Sequence, residues 1–329
     1  MSVLVVIPTL NEAAHVAGVI EGLLPFARRR GARIVVADGG STDGTQAIVA
    51  RIAAAAPEVT LMHNPGRRQA AGVNLAVARH GAEAAWLIRV DAHSAYPSDY
   101  GDVLLAEAAR TGADSVVVAM RAVGQGRLHR VIATAQNSRL GNGGAAHRGA
   151  PEGRWVDHGH HALMRLPAFR AVGGYDEAFS HNEDAELDHR LRAAGFRIWL
   201  TAATAVDYVP RRTMGALLGQ YFAFGRGRAR NVLKHRAGLR PRQAAVAGLA
   251  PGLALAALAP LHPAFALPFA GWTAACLAGG AALALARREP EAILAGPVAG
   301  AMHAAWSAGF WAEALAAARR GAPGKGQPA

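Results

Sequence analysis

Ser2-Val3-Leu4-Val5-Val6-Ile7-Pro8-Thr9-Leu10-Asn11-Glu12 opens on an apolar, β-prone run that a proline and then polar residues bring to a stop. A short run rich in Val and Ile, bounded this way, reads as a buried strand. A second run, Ile34-Val35-Val36-Ala37, ends in Asp38-Gly39-Gly40-Ser41-Thr42-Asp43-Gly44-Thr45. Between the two, Val16, Val19, Ile20, Leu23 and Leu24 recur at helical spacing within residues 13–30. The alternation continues, with helices expected over 46–56, 70–79 and 99–110 and strands over 59–62, 85–90 and 115–120. Strand and helix in turn predict an α/β fold, a mostly parallel sheet with helices on both faces. Ligands in such sheets sit beyond the carboxyl ends of the strands.

The 329 residues are enough for one substantial domain and an appendage. The formal charge of +12 points to an anionic partner. Basic residues run from Arg211 to Arg242 without an Asp or Glu, and residues 244–286 then carry no charged side chain. A basic run abutting an apolar one reads as a cytoplasmic membrane flank; a nucleic-acid arm needs no apolar neighbour, so no nucleic-acid partner is expected. Candidate membrane segments lie at about 244–261, 264–286 and 292–318. The first is interrupted by Pro251 and Pro260, and the third carries His303 and Glu313 and so spans, re-enters or lies in the interface. A hairpin of the first two would return Arg287 and Arg288 to the cytoplasm. The division expected is 1–236 for the catalytic domain and 237–329 for a membrane-associated helical region. The single cysteine, Cys276, excludes an intrachain disulfide. Residues 1–8 lack a basic n-region and are too short for a signal peptide. Residues 124–157, around Gly141-Asn142-Gly143-Gly144, are expected to be loop-rich, a mobile loop near an acceptor site rather than a phosphate cradle.

The polar clusters follow the strands. Pro8-Thr9-Leu10-Asn11-Glu12 ends the first. At the end of the second, Asp38 is placed to accept hydrogen bonds from a base imide or ribose hydroxyl, while Thr42 and Asp43 read as a helix N-cap. Asp91-Ala92-His93 ends the strand at 85–90. In an extended segment i and i+2 point the same way, so this pair is a candidate for Mg²⁺ or Mn²⁺. Arg89 is a salt-bridge partner beneath the site; Arg67 and Arg68 either reach a diphosphate or cap a surface turn. Ser180-His181-Asn182-Glu183-Asp184-Ala185-Glu186-Leu187-Asp188 packs four carboxylates into residues 183–188. Glu183, Asp184 and Asp188 share one side of a helix by spacing, either as a solvated face or as a site for a proton or cation.

Together, Val6-Ile7-Pro8-Thr9-Leu10-Asn11-Glu12, Asp38–Thr45, Asp91-Ala92-His93 and Asn182-Glu183-Asp184 resemble glycosyltransferase family 2, the inverting nucleotide-sugar transferases of GT-A fold. The resemblance covers residues 1–236. It implies that Pro8, Thr9, Glu12, Asp38 and Arg67 hold the nucleotide of a UDP-sugar and that Asp91 and His93 hold Mn²⁺ or Mg²⁺ on the diphosphate. His93 stands where the family usually has a second aspartate. Asp184 is implied as general base, with Glu183 orienting the acceptor, and Glu186 and Asp188 facing solvent. His160 and His161 either contact sugar or phosphate or are structural. Gln220-Tyr221-Phe222-Ala223-Phe224 departs from the Gln-x-x-Arg-Trp motif of processive members, which implies single-residue addition. Arg226 and Arg228 touch a diphosphate, an acceptor lipid phosphate or only lipid headgroups. The function implied is hexose transfer, glucose by analogy, from a UDP-sugar to a polyprenyl-diphosphate-linked saccharide at the cytoplasmic face of a bacterial inner membrane, alongside exopolysaccharide assembly proteins. A polyprenyl-phosphate monosaccharide synthase and a non-catalytic nucleotide-sugar-binding membrane protein are the alternatives.

Overall fold

The structure is a computed structural model that describes residues 2–144 and 152–321. It divides into two compact units: Met1–Arg121 with Ala145–Val209, and Ala122–Gly144 with Pro210–Ala329.

The first unit is built on strands β1 (Val3–Thr9), β2 (Arg33–Asp38), β3 (Val59–His63) and β4 (Trp86–Arg89), all paired in parallel in the order β3-β2-β1-β4. Helices α1 (Val16–Arg30), α2 (Thr45–Ala55) and α3 (Gln69–His80) connect them. In β1, Val3, Val5 and Ile7 pack on one side with Val16, Ile20 and Phe26 of α1, while Leu4 and Val6 pack on the other with Val73 and Val77 of α3. An apolar run without alternation is what a strand covered on both faces requires. Burying each such Leu or Ile contributes about 1.5–3 kcal/mol.

Beyond β4 the pairing turns antiparallel, to β8 (His160–Arg165), and β8 pairs antiparallel with β6 (Ser115–Ala122). The path continues to β9 (Ile198–Tyr208), which holds the two-residue strands β5 (Ser94–Ala95) and β7 (Arg154–Trp155). Helix α4 (Tyr100–Thr111) joins the α1 side. The short α7 and α8 (Glu183–Ala193) cover the α3 side, with α7 spanning Leu166–Ala171. The α/β architecture with helices on both faces is therefore present, and its parallel half carries the polar loops.

In the second unit, part of the stretch expected to be loop-rich is helical: α5 (Arg127–Asn137) and α6 (Arg139–Asn142). Val131, Ile132 and Ala135 supply the buried side of α5; residues 145–151 of that stretch lie outside the described residues. The expected segment at 244–261 is not one long helix. It breaks at Gly248 into α10 (Pro241–Ala247) and α11 (Leu249–Ala256), each too short to cross a bilayer. Among the described residues, Pro263–Arg287, which includes α12 (Leu267–Arg287), is the helix long and apolar enough to span, with Leu267 and Leu285 67% and 80% exposed. Helix α9 (Met214–His235) packs on α13 (Ala295–Gly321). A Cβ added at Gly225 would lie 1.9 Å from the Trp306 carbonyl oxygen, and one at Gly309 2.0 Å from that of Phe222. Small residues let the two backbones touch, and buried Glu313 of α13 pairs with Arg226 (2.8 Å) and Arg230 (3.0 Å) of α9.

Candidate active site

The loops after β1 and β2 are stitched by side chains. Thr9 and Asp38 pair in register at the strand ends. The Asp38 carboxylate accepts from Thr9 Oγ1 (3.2 Å), Ser41 Oγ (2.5 Å), the Gly40 and Ser41 N–H groups (3.0 and 2.9 Å) and Gln46 Nε2 (2.8 Å). Burial pushes its pKa up, and the bonds from Ser41, Gly40 and Thr9 outweigh this and hold it below the ordinary value. A nucleotide atom reaches this carboxylate only by exchange with Ser41 or Gln46. Asn11, at φ 58°, donates its N–H to Ser41 Oγ and accepts from the Thr42 N–H. Neither Thr42 nor Asp43 is the N-cap of α2, which is Gly44 with no side-chain cap bond; Asp43 instead accepts the Thr45 N–H (3.0 Å) and, across loops, the Ala13 N–H (2.9 Å). Half-buried Pro8 precedes this turn, and exposed Arg67, at φ 56°, closes the loop after β3. A methyl group on Gly39 would lie 3.2 Å from the Arg67 Cα, so a side chain there would have to push that backbone back by a few tenths of an ångström.

Asp91 and His93 do not lie in an extended segment. Residues 91–94 form a turn, with the Ser94 N–H donating to the Asp91 carbonyl (3.3 Å). Asp91 faces inward and His93 stays half-exposed, its Nδ1 3.0 Å from Glu12 Oε1. The two remain close enough for His93 to help hold Asp91 ionised, after burial (which opposes ionisation), Arg89 and His160.

Behind Asp91, buried Arg89 gathers the acids. Its guanidinium contacts Asp91 (3.2 Å) and Glu183 (3.7 Å) and pairs closely with Asp184. His160 bridges the same acids, 3.5 Å from Asp91 Oδ2 and 3.8 Å from Asp184 Oδ2. Burial lowers the pKa of His160, against the pull of Asp91 and Asp184. His161 differs: it has no exposed surface, its Nε2 lies 2.7 Å from Asp188 and its Nδ1 2.6 Å from Tyr175 Oη and 3.3 Å from Asp184. Burial opposes its charge, yet Asp188, Tyr175 and Asp184 raise its pKa well above the ordinary value. Asp184 is held well below the carboxylate range: burial opposes ionisation, but Arg89, His161 and His160 prevail. For Glu183, burial and the neighbouring Asp184 charge win, and its pKa is pushed up to about 7.

Residues 4–173, more than half of the chain, match the family-wide description "Glycosyl transferase family 2". The chain belongs to glycosyltransferase family 2. It is 53% identical over 319 residues to the succinoglycan biosynthesis protein ExoA of Rhizobium meliloti (strain 1021), covering 97% of both chains. It is similar in structure to a mannosyltransferase from Pyrobaculum calidifontis solved with GDP-mannose and Mn²⁺ (TM-score 0.55, 25% identity, 91% of this chain and 85% of that one). As a family 2 member the protein is a glycosyltransferase of GT-A fold.

In this transferase the acids Asp91, Glu183, Asp184 and Asp188 outnumber the cations Arg89 and His161, an arrangement suited to a further positive charge. Among the described residues no three His, Cys, Asp or Glu side chains form a ready-made metal cage. A divalent ion that completes its shell with substrate phosphates needs only one or two protein ligands, and inward-facing Asp91 is a carboxylate of that type.

The reading of Glu186 and Asp188 as solvent-facing is overturned. Both are fully buried; Glu186 pairs with Arg190 (2.5 Å), and Asp188 accepts from the Gly159 N–H (3.2 Å) and meets His158 (2.8 Å) as well as His161. Tyr175 and Asp188 were not expected in the site; the i, i+4 spacing of Asp184 and Asp188 was the signal that marked them as one face. Arg226 and Arg228 belong to the second unit, where Arg226 pairs with Glu313 and Arg228 lies beside Arg240 and Arg242.

Proposed function

We propose that this chain is an inverting hexosyltransferase that moves one sugar, glucose by family analogy, from a UDP-sugar to a polyprenyl-diphosphate-linked saccharide in succinoglycan-type exopolysaccharide biosynthesis. The observation that carries the reading is the sharing of Arg89 and His160 by Asp91 and Asp184, which gathers the acid read as diphosphate-side and the acid read as proton acceptor around the same two groups. Residues 1–236 supply this chemistry, and 237–329 hold it at the cytoplasmic face of the inner membrane, near exopolysaccharide assembly proteins.

In the proposed reaction Pro8, Thr9, Glu12, Asp38 and Arg67 bind the nucleotide, and Asp91 and His93 would hold Mn²⁺ or Mg²⁺, which when bound offsets charge on the departing diphosphate. Asp184 removes the proton from the acceptor hydroxyl as that oxygen attacks the anomeric carbon. Its Oδ1 is engaged by Arg89 and Tyr175, so Oδ2 is the oxygen that takes the proton. Glu183 orients the acceptor, and His160 spans donor-side and acceptor-side acids. Arg226 and Arg228 serve lipid phosphates.

The test is a UDP-sugar panel with membrane lipid extract, with and without Mn²⁺, followed by assignment of the anomeric configuration of the product. Metal-dependent transfer with inversion from one UDP-sugar is expected. Asp184→Asn should lose transfer by about 10²-fold or more while still binding UDP. Full activity in that variant removes Asp184 from the mechanism.

A further inference from the structure

Asp188, His161 and Tyr175 form a continuous buried chain that ends on Asp184. His161 comes from β8, Tyr175 from the turn between α7 and α8, and Asp188 from α8 one turn beyond Asp184. His161 Nε2 donates to Asp188 Oδ1 (2.7 Å), its Nδ1 donates to Tyr175 Oη (2.6 Å), and Tyr175 Oη donates to Asp184 Oδ1 (3.3 Å). Both ring nitrogens are spent inside the protein and the ring has no exposed surface, so His161 cannot also touch sugar or phosphate. Resting on the function proposed above, we propose that Asp188, His161 and Tyr175 are positioning residues: a relay that fixes Asp184 Oδ1 and leaves Oδ2 aimed at the acceptor hydroxyl.

Two local features serve the relay. A methyl on Gly159 would lie 2.3 Å from Val117 Cγ2, so glycine lets β8 press against β6 where the histidines begin. The β6–β8 register slips between Val116 and Val117, next to His161; such bulges re-aim side chains beside active sites. The charged and titratable groups facing the imidazole are Asp188 and Asp184 of α8, Tyr175, His160 on its own strand and Arg89 of β4 beyond Tyr175. His158 lies on the far side of Asp188. Asp188 on one side and Asp184 on the other keep the ring protonated. That charge in turn keeps Asp184 ionised, the form a base needs.

The experiment measures kcat, donor KM and pH–rate profiles for His161→Gln, Asp188→Asn and Tyr175→Phe in the full chain. A misaligned base loses roughly 10²-fold, so kcat should fall by about that factor in His161→Gln, with donor KM unchanged. Losing the imidazolium raises the Asp184 pKa, so the acid limb of the profile should move up by about one unit in His161→Gln and Asp188→Asn. Tyr175→Phe removes one hydroxyl and should lower kcat without moving the limb, which keeps the test open if the other variants unfold. Wild-type kcat and profiles in all three, beside an inactive Asp184→Asn, would overturn the relay alone. An active Asp184→Asn would overturn the mechanism beneath it. A donor KM that rises as kcat falls would show general distortion and also overturn the relay.

Discussion

Arg89 is 5% exposed and answers three acids at once, a task no smaller cation can do. Lysine is a single point charge, so Arg89→Lys strands at least one buried carboxylate. The expected loss is about 3 kcal/mol in urea unfolding, together with transfer activity. Glu183 shows the opposite problem, with its pKa pushed up to about 7 by burial and by Asp184. A raised folded-state pKa means that the stabilising contribution is complete below the unfolded value, near 4.3, and is lost as pH rises through 7. Glu183→Gln should therefore melt higher than the parent at pH 8, the gap closing below pH 5; equal melting temperatures at pH 8 would count against a raised Glu183 pKa. Asp91, Asp184 and Asp188 run the other way, losing their contribution as pH falls through their lowered values. At this scale the sequence marked Glu183, Asp184, Asp91 and His160 by type and spacing. It grouped Asp188 with Glu183 and Asp184 but hid its burial, because its partner His161 lies 27 positions away on β8.

The parallel elements were legible because β1, β2 and β4 are apolar on both faces and each ends in turn-forming polar residues. Of the antiparallel half β6, expected over 115–120, was legible too, but β5 and β7 were not: they are two residues long and carry no period. Helix α5 was missed although Val131, Ile132 and Ala135 fall at helical spacing, because Gly124 and Gly126 beside it read as loop. Likewise, extended geometry was assumed for Asp91-Ala92-His93, and only the Asp91–Ser94 turn explains why His93 meets Glu12. At this scale Gly159→Ala is the informative change. The clash with Val117 should cost about 1–3 kcal/mol and should reduce transfer beyond what the lost stability explains, measured by thermal melting and by rate at a temperature where the variant is folded.

Across the whole molecule, the charge of +12 is concentrated beside the apolar segment 263–287, and both were visible in composition alone. How the apolar residues divide into helices was legible only in part, since Pro251 and Pro260 marked 244–261 as interrupted but the break falls at Gly248. Leu277 is 51% exposed on α12, so Leu277→Lys leaves the packed side of the helix alone. A charge at mid-helix opposes insertion by about 3 kcal/mol, and the variant should shift from the carbonate-resistant membrane fraction toward the supernatant. An unchanged distribution would mean that α12 does not insert. The backbone contact of α9 with α13, through Gly225 and Gly309, bears on how such enzymes are recombined. Transplanting the C-terminal helices of this protein onto another family 2 domain with a seam after residue 236 would oppose α13 to a foreign partner lacking the glycine notch and the arginines for Glu313. The piece that travels intact begins before α9, so hybrids spliced near residue 210 should assemble where those spliced after 236 should not.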